Sequence, residues 1–264
     1  MDTTTYKTRR GFLKDLALAG IATSVPNILF ASEYVDANKE NLLFSGKAND
    51  NLVFLFQGDS ITDGKRGRNQ DLNHIMGHGY AFSIASRLGA DFPEKNLSFI
   101  NRGISGNKVT DLAVRWQEDT LDLKPNVLSI LVGVNDSSTV INNKDMVSIE
   151  QYKETYTSLL DQTRKHYPDV LFVLCQPFIL PVGKIKKNWE AWYADISERQ
   201  KVVKHLAIQY NTVFVPFQDV FNKALNKASA DYWIWDGIHP TVAGHELMAR
   251  EWIKQVSKRL KFLR

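Results

Sequence analysis

Ser60, Asp236 and His239 have the types and order needed for nucleophilic chemistry on a carbonyl carbon. Ser60 stands in Gly58-Asp59-Ser60-Ile61-Thr62, just after a short apolar run. A lone serine at such a point is usually a turn or helix-cap residue. A lone Asp236 reads as a cap and a lone His239 as a surface or structural imidazole. The pair Asp236-x-x-His239 says more. A carboxylate three residues before an imidazole can hold one ring nitrogen and turn the other outward, as a general base for a serine hydroxyl requires. Two other segments concentrate polar residues, 101–107 (NRGISGN) and 133–136 (GVND). His74-x-x-x-His78 has the spacing of one helical face, but Gly77 and Gly79 weaken a helix there and no third ligand is evident, so no metal is expected.

These residues need a scaffold, and the hydropathy pattern supplies one. Short continuous apolar runs at 52–56, 97–100, 127–132, 170–174 and 212–217 predict five buried strands. Segments 79–88, 109–121, 149–166, 189–210, 220–228 and 243–260 have helical spacing. Strands alternating with helices predict an α/β fold with one parallel sheet covered on both faces. Ligands in such sheets bind beyond the carboxyl ends of the strands. The unusual polar residues follow the first three strands or precede the last helix, so one edge is expected to gather them. No repeat, low-complexity tract or linker divides the chain, and one domain is expected over 45–264.

Composition limits the classes of function. The chain has 264 residues, 44% hydrophobic and 23% charged, which fits a globular protein and excludes a disordered or collagenous one. Cys175 is the single cysteine, so neither an internal disulfide nor a multi-cysteine metal site can form. A net charge of +4 is too small for a nucleic-acid binder, and the basic clusters at 65–68, 184–187 and 258–264 read as solvated surface or helix-end charge. Residues 8–14 (TRRGFLK), an apolar stretch over 16–25, then Pro26 and small residues have the layout of an export signal. The pattern resembles a twin-arginine signal over 1–32, which implies a periplasmic or extracellular protein folded before transport. The apolar stretch is well short of the ~20 residues of a membrane span, so no stable span is expected after cleavage.

The order Ser, Asp, His resembles that of lipase-type hydrolases, though the Gly-x-Ser-x-Gly elbow is absent. GDSIT at 58–62, Gly103, Gly133-x-Asn135-Asp136 and Asp236-x-x-His239 together resemble the SGNH (GDSL) esterase superfamily. The resemblance tightens over 101–136 and 235–245, which are similar to its xylan acetylesterases. It implies a three-layer α/β/α sandwich with a flavodoxin-like five-stranded parallel sheet, and removal of acetyl groups from plant polysaccharide without a cofactor. It implies Ser60 as nucleophile, His239 as general base and acid, and Asp236 as its orienting partner. It makes the N–H groups of Ser60 and Gly103 and the side-chain amide of Asn135 the oxyanion hole. Gly103 suits close approach of backbone to substrate, and Asn135 donates without a charge to desolvate. Asp59 is expected to satisfy loop amides. Tyr80, with His74 and His78, is expected to line or brace the rim, and Arg115 to brace the loops. Trp116 is expected in the core, and Trp235 either in the core or as a wall limiting the acyl group or stacking on a sugar. Self-association is a further implication of the resemblance. The rival readings are a lysophospholipase- or thioesterase-type hydrolase, which a lid insertion would favour, and a non-catalytic carbohydrate-binding protein, which loss of a triad member would mark.

Overall fold

The sheet is built from the five apolar runs. The strands are β1 (Val53–Gly58), β2 (Ser98–Asn101), β3 (Val127–Leu131), β4 (Leu171–Cys175) and β5 (Val213–Val215). The structure, a computed structural model, describes residues 51–69 and 71–264. The export signal read over 1–32 and the domain start at 45 lie outside the described residues. The strands pair in parallel in the order β2-β1-β3-β4-β5. β3 and β4 are buried along their full length, which accounts for runs with no polar alternation.

Side chains alternate between two cores. Phe54 and Phe56 point into a cluster with Tyr80 and Ile84 of α2 (Tyr80–Asp91), Phe217 and Phe221 of α7 (Phe217–Ala224), and Met248 and Trp252 of α9 (Val242–Val256). Leu55 points the other way, to Leu112 of α3 (Val109–Val114), Tyr156 and Leu159 of α5 (Ile149–His166), and Val203 and Leu206 of α6 (Trp189–Gln209). The fold is therefore the three-layer α/β/α sandwich with flavodoxin-like strand order.

Topology places the site. The chain leaves β1 outward to β2, then crosses back to β3 on the other side of β1. Gly58 is in register with Leu131, and Phe56 with Asn101. The loops after β1, β2 and β3 therefore emerge side by side, at the crevice such sheets offer to ligands.

Several elements differ from expectation. The helix expected over 109–121 is α-helical only to Val114, and a π-helical turn follows at Gln117–Leu121. Leu112 and Trp116, four apart, both face the core, whereas Val114 lies on the opposite side and is exposed. Trp116 donates its indole N–H to Thr163 Oγ1 at 3.0 Å. The helix expected at 220–228 starts earlier and ends earlier, at Phe217–Ala224. Residues after Gly133, expected as loop, form α4 (Val134–Ile141). No described helix is long and apolar enough to cross a membrane.

Candidate active site

Ser60 opens the four-residue helix α1 (Ser60–Asp63) at the end of β1. Asp59 caps that turn, its Oδ1 accepting from the Ile61 N–H at 3.0 Å. The Ser60 hydroxyl lies 2.8 Å from His239 Nε2. The other ring nitrogen, Nδ1, is 2.9 Å from Asp236 Oδ2. Asp236 is buried, and Oδ1 also accepts the backbone N–H groups of Ile238 (3.0 Å) and His239 (2.8 Å). Burial alone would raise its pKa, but these bonds and the His239 ring bring it down to about 2. An ionised carboxylate only accepts, so Nδ1 carries the proton and Nε2 accepts from Ser60. The structure thus brings together residues 179 positions apart in the arrangement a Ser–His–Asp relay needs.

The donors for a developing oxyanion lie on the neighbouring loops. The Ser60 N–H has no partner among the described residues. Asn135, in the first turn of α4, donates one Nδ2 hydrogen to Asn107 O at 3.0 Å, which holds the amide in place and leaves its second hydrogen. Gly103 does not supply the expected third donor. Its N–H is bound to Asn101 Oδ1 at 2.9 Å. Gly103 is there because a side chain would not fit: a Cβ would stand 2.3 Å from the Asp63 backbone nitrogen. Gly106, three residues on, has φ +87° and open space around it, and its N–H has no partner among the described residues. Only the type of residue was legible at this loop; the direction of each amide depends on the Asn101 side chain, which also donates to Thr62 O (2.7 Å) and Met76 O (3.0 Å).

The other expected residues divide between wall and support. Trp235 is 63% exposed and stacks on the His239 ring with centroids 6.2 Å apart, which excludes the core reading. Tyr80 is not on the rim. It is fully buried, with its hydroxyl 3.0 Å from Thr62 Oγ1 behind α1. His74 and His78 are exposed. Arg115 makes three contacts that join the end of β1 to the loop after β2: Asn107 Oδ1 (2.8 Å), Arg102 O (2.8 Å) and Gly58 O (3.3 Å). Asp119 Oδ2 accepts from the same guanidinium at 2.9 Å. Asp59 is buried behind Ser60, and burial, reinforced by the nearby Asp136 charge, pushes its carboxyl up to about 7. Burial also pushes Asp136 up to about 6, and its Oδ1 accepts from the Val109 N–H at 3.0 Å.

Four residues around the site were not legible. Lys184, read as solvated charge, places Nζ 3.3 Å from Asp236 Oδ2. In the 65–68 cluster, Arg66 donates from Nε to Gly103 O (2.9 Å), and Arg68 grips both oxygens of the buried Asp63. His245 lies buried behind α2 and accepts the Tyr80 N–H on Nδ1 at 3.1 Å. Burial, then the neighbouring His78 and His239, lowers it to about 4 and keeps it neutral. No spacing rule ties these side chains to the triad; only the folded loops do.

Comparison with known proteins agrees with this arrangement. The profile of the GDSL-like Lipase/Acylhydrolase family matches residues 56–247. The acetylxylan esterase of Geobacillus stearothermophilus is 32% identical over 208 residues, covering 76% of this chain and 92% of that protein. Among solved structures, a protein of Parabacteroides merdae provisionally named a GDSL-like lipase superposes with TM-score 0.75 at 39% identity, over 79% of this chain and 97% of that one. Axe2, an acetylxylan esterase from G. stearothermophilus, superposes with TM-score 0.70 at 32% identity, over 80% and 96%. Structures of Axe2 include two variants described as catalytic mutants, one serine-to-alanine and one aspartate-to-alanine.

Proposed function

The chain belongs to the GDSL-like lipase/acylhydrolase family, a carboxylic ester hydrolase, and we propose that it removes acetyl groups from acetylated carbohydrate, xylan or a related plant polysaccharide or oligosaccharide, through Ser60, His239 and Asp236. The observation that carries this reading is the unbroken contact from the Ser60 hydroxyl to His239 (2.8 Å) and from His239 to Asp236 (2.9 Å). The acetyl specificity is supported by the acetylxylan esterase relatives.

In the proposed reaction, His239 Nε2 takes the proton as Ser60 Oγ attacks the acetyl carbon. Asp236 stabilises the imidazolium that forms. The negative oxygen of the tetrahedral intermediate is met by the N–H groups of Ser60 and Gly106 and by Asn135 Nδ2, with Gly106 replacing Gly103. Each such donor is worth about 2.7–4 kcal/mol in the transition state. The sugar hydroxyl leaves with the proton from His239. Water, deprotonated by the same nitrogen, then releases acetate from Ser60. Trp235, exposed over His239, forms the wall where sugar or acyl group rests. We further read residues 1–32 as a twin-arginine signal and 45–264 as one catalytic domain, on the sequence pattern alone.

The test is acetate release from acetylated xylan, mannan and pectin by the mature protein and by Ser60→Ala. Release from at least one polymer by the parent, reduced at least about a thousandfold in the variant, is the expected result. Release by the variant at the parental rate would remove Ser60 from the mechanism.

A further inference from the structure

Four arginines, Arg66, Arg68, Arg102 and Arg115, surround the loop that follows β2, accompanied by the carboxylates of Asp63 and Asp119 and, nearer Arg115, of Asp111. Arg68 and Arg115 are accounted for: the first chelates Asp63 and the second ties Asp119 to the end of β1 and the loop after β2. Arg66 and Arg102 are not. Arg66 is half-buried, and its Nε is fixed on Gly103 O at 2.9 Å, so the plane of its guanidinium is set by the site loop itself. Its two terminal nitrogens have no hydrogen-bond partner among the described residues. Arg102 Nε is 3.6 Å from Asp119 Oδ1, beyond a hydrogen bond, and Asp119 Oδ2 already accepts from Arg115. Arg102 is thus held by Asp119 only through a long ion pair, and its charge opposes that of Arg66. Burial, then Arg68 and Arg102 against the opposing pull of Asp63, lowers Arg66 to about 10. A further cation, Lys184, lies 3.3 Å from Asp236 Oδ2.

Holding like charges together at the mouth of a site costs free energy unless an anion joins them. A guanidinium of fixed plane with free terminal N–H groups matches a carboxylate in two-point geometry. Carbohydrates carry carboxylates as uronic acids. We propose that the acetylated substrate is an acidic glycan, whose uronate carboxylate docks on Arg66 and Arg102 while a neighbouring acetyl ester lies on Ser60. This rests on the acetylesterase reading and narrows its substrate class.

The experiment compares kcat/KM for one acetylated, uronate-bearing xylo-oligosaccharide with that for the same compound after reduction of its carboxyl to an alcohol. The expected preference is about tenfold for the acid at low salt, shrinking as ionic strength rises. Arg66→Gln and Arg102→Gln each lower this ratio. Because the ratio is taken within one protein, a general loss of activity in a variant leaves it unchanged. Arg66→Lys, which keeps the charge but not the fork, restores only part of it. Equal kcat/KM for both compounds in the parent, with brisk hydrolysis of each, would overturn the acidic-glycan inference and leave the esterase intact. Failure to hydrolyse either compound or a small activated acetate ester would overturn both.

Discussion

Asp59 shows how closely the nucleophile's turn is balanced. Its carboxylate caps α1, yet it is buried, and both its Oδ2 and that of Asp136 lack partners among the described residues. The folded form therefore binds a proton more tightly than the unfolded chain. Stability from this group is fully present below its ordinary pKa of 3.8 and is lost as pH rises toward about 7. Asp59→Asn keeps the cap acceptor and removes the buried charge. It is expected to raise stability at pH 8 by about 1–3 kcal/mol and to change it little near pH 4, read from denaturant melts at the two pH values. An equal effect at both would contradict the account. At this scale the contact of Ser60, His239 and Asp236 was legible because the pair Asp-x-x-His, taken with a serine after a strand, is more specific than any of the three alone. The glycine with a free amide was not: NRGISGN contains two glycines, and Asn101 occupies the N–H of the first. Trp235 was likewise undecided in sequence, since an aromatic beside a triad residue suits a core or a rim equally.

The elements matter because the loops converge only if something holds them. Arg115, between the end of α3 and the π-helical turn, bridges the carboxyl ends of β1 and β2 through Gly58 O and Arg102 O. It touches no reacting atom and acts by position. Arg115→Met is expected to lower kcat on a small acetate ester about ten- to a hundredfold, with KM moving much less. Arg115→Lys is expected to restore little, since one ammonium cannot replace a fork that spans several acceptors. A proportional change in KM, or full rescue by lysine, would show that Arg115 acts otherwise. The five strands were legible from their apolar runs, because burial on both faces leaves no polar alternation. α4 was not, since Gly133, Asn135, Asp136 and Ser137 are turn-forming types; here the packed site imposes helix on them.

For the whole molecule, the reversal of strand order at β1 explains why the segments carrying residues 60, 106 and 135 emerge side by side. The parallel sheet was legible as a class, and the 2-1-3-4-5 order followed from the resemblance. The third layer of information, the rim of arginines, was not, because charge in a short cluster says nothing of its partners until Asp63 and Gly103 lie beside it. A site assembled from such distant segments exists only in the folded chain, which accords with the proposed export of a folded protein. Replacing Arg9 and Arg10 by lysine is therefore expected to abolish appearance of the full-length product in the periplasm or medium of a bacterium with a twin-arginine route. Fractionation and immunoblotting read the outcome, and undiminished export of the doubly substituted chain would contradict the signal reading.

The most direct test of the central claim is to trap the acyl-enzyme. The protein is mixed with a small activated acetate ester, quenched in acid within the first turnover, digested, and its peptides weighed. The added mass of one acetyl group is expected on the peptide containing Ser60, absent from Ser60→Ala and from His239→Ala. Acetyl on another side chain, or turnover with no acetylated peptide at any quench time in the parent, would contradict Ser60 as the nucleophile.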